Sequence, residues 1–258
     1  MIIPVSDISA MLANAMWPFL RIGALVMTAP VFSVALVPMR FRIALTLALT
    51  VVLVPVIPAS PNVPALSGQA LVIAFQQLMI GVVMGLAVQL VFDAVVLGGQ
   101  AIAMSMGLGF ATMIDPLRGV NVPVLSQFLL TFGTLVFLAL DGHLLLIEAL
   151  AASFTTLPVG VNGVSREGLW ALLLWSSHLF SGALRIALPA LVALLMVNLS
   201  FGVMSRAAPT LNLFAVGFPI SMTLGFVIVL FGLPDLVGAM QSLTASAFDL
   251  IEVVVNVS

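Results

Sequence analysis

From Gln69 to Ala103 the chain is one unbroken apolar stretch in which Asp93 is the single ionisable residue. A surface of that kind cannot face water, and about 20 apolar residues suffice to cross a bilayer. Six segments of this character are readable, at roughly 8–38, 43–58, 69–103, 124–152, 168–204 and 211–233, with a weaker seventh near 236–257. The 258 residues are 63% hydrophobic and 6% charged, where a soluble domain carries about 25% charge. The reading is an all-α membrane protein of long kinked helices and helical hairpins. Length alone allows one or two domains, but membrane helices rather than a water-driven core set the organisation.

Several function classes fall away on composition. Without cysteine there are no disulfides, thiolate metal sites or cysteine nucleophiles, and the redox compartment is unreadable. Without lysine there is no phosphate loop, and no serine sits in a Gly-x-Ser-x-Gly elbow. A net charge of −2 with singly scattered arginines excludes a nucleic-acid stripe. The N-terminus has no basic region ahead of its apolar stretch, so insertion relies on the first, uncleaved helix. Energy for any transport must come from elsewhere.

The second segment is short and the third and fifth exceed one bilayer thickness, so they must tilt, kink or leave the membrane. Pro55, Pro58, Pro61 and Pro64, then Asp115-Pro116, then Pro158-Val159-Gly160 mark where helices stop. Arg40 and Arg42, Arg118, Arg166 and Arg206 occupy four of the five loops between the six segments. Full crossings would alternate sides and confine arginine to every second loop, so some segments are expected to be re-entrant hairpins. The C-terminal segment spaces Asp235, Ser242, Ser246, Asp249 and Glu252 among apolar residues and suits either a partner or the interface.

Gly81, Gly85, Gln89 and Asp93 recur every fourth residue, with Gln100 further along, and so form one helical stripe. Its small end permits close helix contact. Its polar end opposes insertion by roughly 2.5–3.5 kcal/mol for a mid-helix aspartate, so Asp93 must face protein or water. An interhelical contact and the lining of an aqueous path both fit. His178 and Arg185 share a face seven residues apart, ahead of Pro189, and Arg21 follows Asn14 by two turns; both suit interhelical networks. Asp141, Gly142, His143 and Glu148 invite an enzyme reading, but residues five apart lie about 140° from each other on a helix. His143 and Glu148 therefore cannot chelate one metal from a straight helix, and a helix-end and packing role is preferred to a metal or proton site.

Between the third and fourth segments lies a loop from Met104 to Pro123 that keeps Met104, Met106, Leu108, Phe110, Met113 and Ile114, with glycines at 107 and 109 to loosen it. A connection exposed to water is ordinarily polar. Deformable thioethers close around variable contents and relax again, which suits a movable seal.

Three stretches carry a resemblance. They are Met106-Gly107-Leu108-Gly109-Phe110-Ala111 followed by Asp115-Pro116; Gly142-His143-Leu144-Leu145; and Arg206-Ala207-Ala208-Pro209-Thr210-Leu211-Asn212 running into Gly217-Phe218-Pro219. Together, over about Arg21 to Pro234, they resemble the FliR family of flagellar export-gate proteins and its injectisome counterparts. The resemblance implies no catalysis and no cofactor. It implies one copy joined helically to several FliP and FliQ subunits as the gate of a type III secretion channel, in company with FlhA-like and FlhB-like proteins, through which unfolded substrates pass. It further implies a FliP-like part over 1–165 and a FliQ-like hairpin with C-terminal helix over 166–258. The loop 104–123, with Met104, Met106, Gly107, Leu108, Gly109, Phe110, Met113, Asp115 and Pro116, would plug the closed pore, and Arg206, Pro209 and Asn212 would form a cytoplasmic tip. Location in the bacterial inner membrane and flagellar basal body, raised toward the periplasm, is implied as well. The rival reading is a multi-span small-solute secondary transporter, whose sign would be paired broken helices in two internal repeats.

Overall fold

A computed structural model describes residues 5–33, 37–58, 60–61, 63–64, 67–109, 124–207 and 213–256, with side chains from 15 in the first helix and from 217 in the last. Among the described residues there are eight helices and no strand. They are α1 (Val5–Thr28), α2 (Met39–Leu53), α3 (Gly68–Ser105), α4 (Val124–Ala139), α5 (Gly142–Thr156), α6 (Arg166–Trp175), α7 (His178–Ala207) and α8 (Leu213–Asn256).

Their ends follow local chemistry. Pro38 precedes α2, where its missing N–H is no loss, and Pro55 follows closely on its end. The Ser67 hydroxyl accepts from the Ala70 N–H at 3.1 Å to cap α3, and the Ser165 hydroxyl accepts from the Gly168 N–H at 2.9 Å to cap α6. Asp141 precedes α5 in the left-handed region, at φ 56°, its carbonyl accepting from Leu144 and Leu145. The helix is broken between α4 and α5, at Leu140-Asp141.

Helix breaks and apolar segments do not coincide. The first segment ends its helix at Thr28, ahead of Pro30. The fourth divides at Leu140-Asp141, and the fifth carries a junction at Ser176-Ser177. The sixth and weaker seventh fuse into the 44 residues of α8, which contains Pro219 and Pro234. A proline removes one N–H from a helix, but in an apolar surrounding the helix remains the cheapest way to satisfy the other backbone groups.

Three stretches are long and apolar enough to cross a membrane: α3 with 38 residues, Arg166–Ala207 with 42 and Gly217–Asn256 with 40. The broken α4–α5 pair makes a fourth if counted as one span. The most apolar window of α3 is 61% buried within the protein, whereas those of the other two are 17% buried. Thus α3 is a core element, and α7 and α8 present Leu195, Val203, Leu230 and Phe231 outward. The chain is an all-helical membrane protein.

The chain packs as two units. The first comprises Met1–Leu90, Asp141–Ser176 and Thr244–Ser258. Here α1 lies against α3 at Gly81 and Gly85. A Cβ at Gly81 would overlap the Arg21 carbonyl and stand 2.8 Å from the Ala24 Cβ; one at Gly85 would overlap the Thr28 hydroxyl and stand 2.7 Å from its Cβ. Two backbones meet there without side chains between them. Gly85→Val is therefore expected to cost about 1–3 kcal/mol by overpacking, read as a lower temperature of thermal aggregation in detergent, with Leu86→Val, half-exposed on the same helix, as the neutral comparison.

The second unit comprises Val91–Leu140 and Ser177–Leu243. Phe92 meets Phe137 edge-on at 5.4 Å and 66°. Gly98 and Gly99 give α3 two close neighbours: a Cβ at 98 would stand 3.0 Å from the Ala183 carbonyl of α7, and one at 99 would stand 2.8 Å from the Ser126 Cα of α4. α7 and α8 run antiparallel, with Ser221 donating to the Asn198 side-chain oxygen at 3.3 Å and Arg185 donating to the Ser242 hydroxyl at 3.2 Å.

Candidate functional site

The base of the Met104 loop is built as a helix stop. At the end of α3 the Gly107 N–H donates to the Met104 carbonyl and the Leu108 N–H to the Ala103 carbonyl, each at 3.0 Å, with Gly107 at φ 82°. This is a Schellman ending, in which the left-handed residue is glycine because a Cβ would be strained there. The two glycines thus do different work. Gly107 fixes the chain's exit, whereas Gly109 lies under Met104, whose sulfur a Cβ at 109 would overlap.

The two methionines also separate. Met104 is 63% exposed and Met106 is 1% exposed. Met106 is seated on Gly225 of α8, where an added Cβ would lie 2.5 to 2.7 Å from its Cγ, Sδ and Cε atoms. Gly225 therefore acts as the socket that ties the loop's base to α8. Leu108 is half-buried. Phe110, Met113, Asp115 and Pro116 lie outside the described residues.

The helical stripe reaches one step further back than its spacing suggested. Gln77, four residues before Gly81, is fully buried, and its side-chain oxygen accepts from Arg21 Nε at 2.8 Å. Gln77, Gly81 and Gly85 accordingly form an α1-facing run. Gln89 and Asp93 are half-buried with interaction partners, and Gln100 is half-buried.

Arg21 is the fully buried guanidinium of the first unit. Besides Gln77 it donates through NH1 to the Ser153 carbonyl at 2.8 Å and hydroxyl at 3.0 Å, and through NH2 to the Leu157 carbonyl at 2.9 Å. Its carbon centre stands 4.2 Å over the Phe154 ring. Ser153 and Leu157 close the C-terminus of α5, where the helix dipole favours a cation; the Ser153 carbonyl also accepts from the Leu157 N–H at 3.1 Å. One side chain thereby joins α1, α3 and the end of α5. Asn14 lies outside the described side chains.

Asp141 and His143 sit at the start of α5, and the His143 Nδ1 is buried without a hydrogen bond. Glu148 instead joins Asp249 and Glu252 of α8 along a cleft of about 560 Å³. Among the described residues no group of three His, Asp or Glu side chains is placed to hold a metal ion. His178 begins α7, and Arg206 is exposed in the last turn of that helix. Pro209 and Asn212 lie outside the described residues.

Residues 12–247 match the family described as bacterial export proteins, family 1. The chain belongs to this family. It is 39% identical over 235 residues to the flagellar biosynthetic protein FliR of Pectobacterium carotovorum subsp. carotovorum, covering 91% of this chain and 90% of that one. To the flagellar biosynthetic protein FliR of Escherichia coli strain K12 it is 37% identical over 240 residues, covering 93% and 92%. The protein of the same name from Aquifex aeolicus is 33% identical over 216 residues, covering 84% and 83%. The motifs quoted around Met106, His143 and Arg206 all fall inside the matched range.

Three contributors escape sequence reading: Gln77, the Gly98-Gly99 pair and Gly225. Gln77 was findable, since it continues the four-residue spacing of Gly81 and Gly85. Gly225 carries no local signal, because its purpose is set by a methionine over a hundred residues away.

Proposed function

We propose that this chain is the FliR subunit of a flagellar type III export gate, acting by opening and closing rather than by catalysis. What carries the reading is the family match along nearly the whole chain, with full-length relatives named as flagellar biosynthetic proteins. Physical support comes from the apolar loop that leaves α3 through a fixed glycine stop and a buried methionine foot. In this proposal residues 104–123 plug the pore from a rigid base at Met106 and Gly107. Residues 1–165 assemble as a FliP-like part and 166–258 as a FliQ-like hairpin with a C-terminal helix. The outward apolar faces of α7 and α8 meet neighbouring subunits or lipid. Single-copy assembly with FliP-like and FliQ-like subunits in the inner membrane, alongside FlhA-like and FlhB-like proteins, belongs to the same proposal.

Affinity purification of the tagged chain from native membranes tests it. Co-isolation of FliP-like and FliQ-like subunits is the expected result, and recovery as a lone monomer or homodimer counts against it. A finer test uses the socket. Gly225→Val puts two methyls where Met106 now sits, so the loop's foot must move while the helices stay apolar. The expected outcome is normal assembly with raised ion leak through the membrane; unchanged conductance would sever the link between Met106 and the plug.

A further inference from the structure

The second unit holds a cavity of about 400 Å³ whose lining is apolar except for Arg185 of α7 and Asp235 of α8. That volume is within the range of small-molecule sites, about 300–1,000 Å³. Gly232 and Gly238 both line it, and an added Cβ at either would meet nothing within 4 Å. Pro189 lines it too and has no N–H, so the Arg185 carbonyl four residues earlier lacks its helical donor. Among the described residues the Arg185 guanidinium makes one hydrogen bond, to Ser242 at 3.2 Å, out of five N–H donors available to arginine. The site thus presents a cation with spare donors, an anion and a carbonyl relieved of its Pro189 donor at the edge of an apolar hollow.

Its depth is informative. Arg185 lies twenty-two residues before Ala207, the end of α7, and Asp235 lies twenty-two residues after Leu213, the start of α8. At 1.5 Å per residue both charges stand about 33 Å from the break between the helices, close to the ~30 Å thickness of a hydrocarbon core. No other ionisable group interrupts 186–205 or 213–234. A crossing that sets Arg206 at one border would set Arg185 and Asp235 at the opposite border, where lipid headgroups lie. Between the borders Leu188, Val192 and Leu195 of α7 and Phe226, Leu230 and Phe231 of α8 are exposed, an apolar surface suited to acyl chains.

We infer that this cavity binds one zwitterionic aminophospholipid, a phosphodiester bearing a primary ammonium. Its phosphate is held by the Arg185 guanidinium, its ammonium by the Asp235 carboxylate and the Arg185 carbonyl, and its acyl chains run along α7 and α8 toward their junction. Arginine matches phosphate geometry. A net-anionic headgroup would meet Asp235, and a trimethylammonium has no N–H to give either oxygen. The inference rests on α7 and α8 crossing the bilayer and does not depend on the plug proposal.

The full-length chain, in whatever assembly it is isolated from native membranes, is delipidated in mild detergent. It is then titrated with dioleoyl phosphatidylethanolamine, phosphatidylcholine or phosphatidylglycerol, and bound lipid is counted by native mass spectrometry. Wild type is expected to gain one phosphatidylethanolamine per copy of this chain, at least about tenfold tighter than the other two, as charge-assisted hydrogen bonds imply. Arg185→Gln is expected to weaken it at least about tenfold. Asp235→Asn keeps binding but loses the preference for ethanolamine over choline, and Gly238→Leu, which fills the hollow while sparing both charges, abolishes the site. Water-soluble glycerophosphoethanolamine should fail to displace the lipid; full displacement overturns the acyl-chain assignment. Equal lipid counts and preferences in wild type and the variants overturn the site altogether. Both charged residues are exposed, and should one variant fail to assemble, the other two decide.

Discussion

Removing residues 107–119 is expected to leave the chain assembled with its proposed partners and to make the membrane that holds it leak ions. Of the described residues the deletion removes only Gly107, Leu108 and Gly109, so the described helices keep their side chains. The Schellman ending at Gly107 is lost with it, at a cost confined to one helix terminus of about 0.5–2 kcal/mol. What disappears is an apolar run, Leu108, Phe110, Met113 and Ile114, whose proposed place is the closed pore. Planar-bilayer conductance of purified assemblies, or dissipation of membrane potential in cells, reads the result directly. Background conductance from a correctly assembled deletion would refute the plug. A milder form of the same effect is expected for Gly107→Val, because a β-branched residue at φ 82° redirects the chain at the loop's base.

Arg21→Ala is expected to prevent accumulation of the folded chain, for a reason unrelated to any gate. The substitution leaves the Gln77 side-chain oxygen and the Leu157 carbonyl without the guanidinium donor, while the Ser153 carbonyl keeps its bond from the Leu157 N–H. Each buried orphan costs about 1–3 kcal/mol, and the vacated volume beside Phe154 adds a cavity penalty. Part is returned because the guanidinium no longer has to be desolvated. The net loss is set at about 3–5 kcal/mol, within the range where a marginally stable chain fails. Arg21→Lys separates the contributions: it keeps the charge at the end of α5 but loses the planar fork that serves acceptors on three residues at once. It should fall between wild type and alanine in protease resistance and in yield of assembled protein. Alanine equal to wild type in both would show that the bonds to α5 contribute nothing.

The two experiments fail differently. Loss of Arg21 should reduce the amount of assembly without changing the conductance of what remains, whereas loss of the loop should do the reverse. A leak from Arg21→Ala at normal abundance would mean that the α1, α3 and α5 contacts belong to the gate itself.

Much of this was legible in the chain. Sustained apolarity with so few charges forces helices, since only internal hydrogen bonds satisfy a backbone denied water. The Gly81 and Gly85 spacing foretells close approach because positions four apart share a helix face. Arg21, seven residues after Asn14 in the apolar part of its helix, had to find partners. Which partners was not legible: the end of α5 lies more than 130 residues away, and no periodicity encodes that distance. The helix end at Asp141 was legible, but the fusion of two apolar segments through Pro234 escaped, since it turns on neighbours that make up backbone hydrogen bonds.

By itself the sequence determined that this chain is helical and membrane-bound, that a charge set within an apolar helix, such as Arg21 or Asp93, must face protein or water, and that its family is that of bacterial export proteins. Tertiary structure decided which glycine does what. Gly81 and Gly85 admit another backbone, Gly107 ends a helix in the left-handed region, and Gly225 seats Met106. A missing side chain has no preference of its own; its meaning comes from whatever the fold brings to within a few ångströms of it.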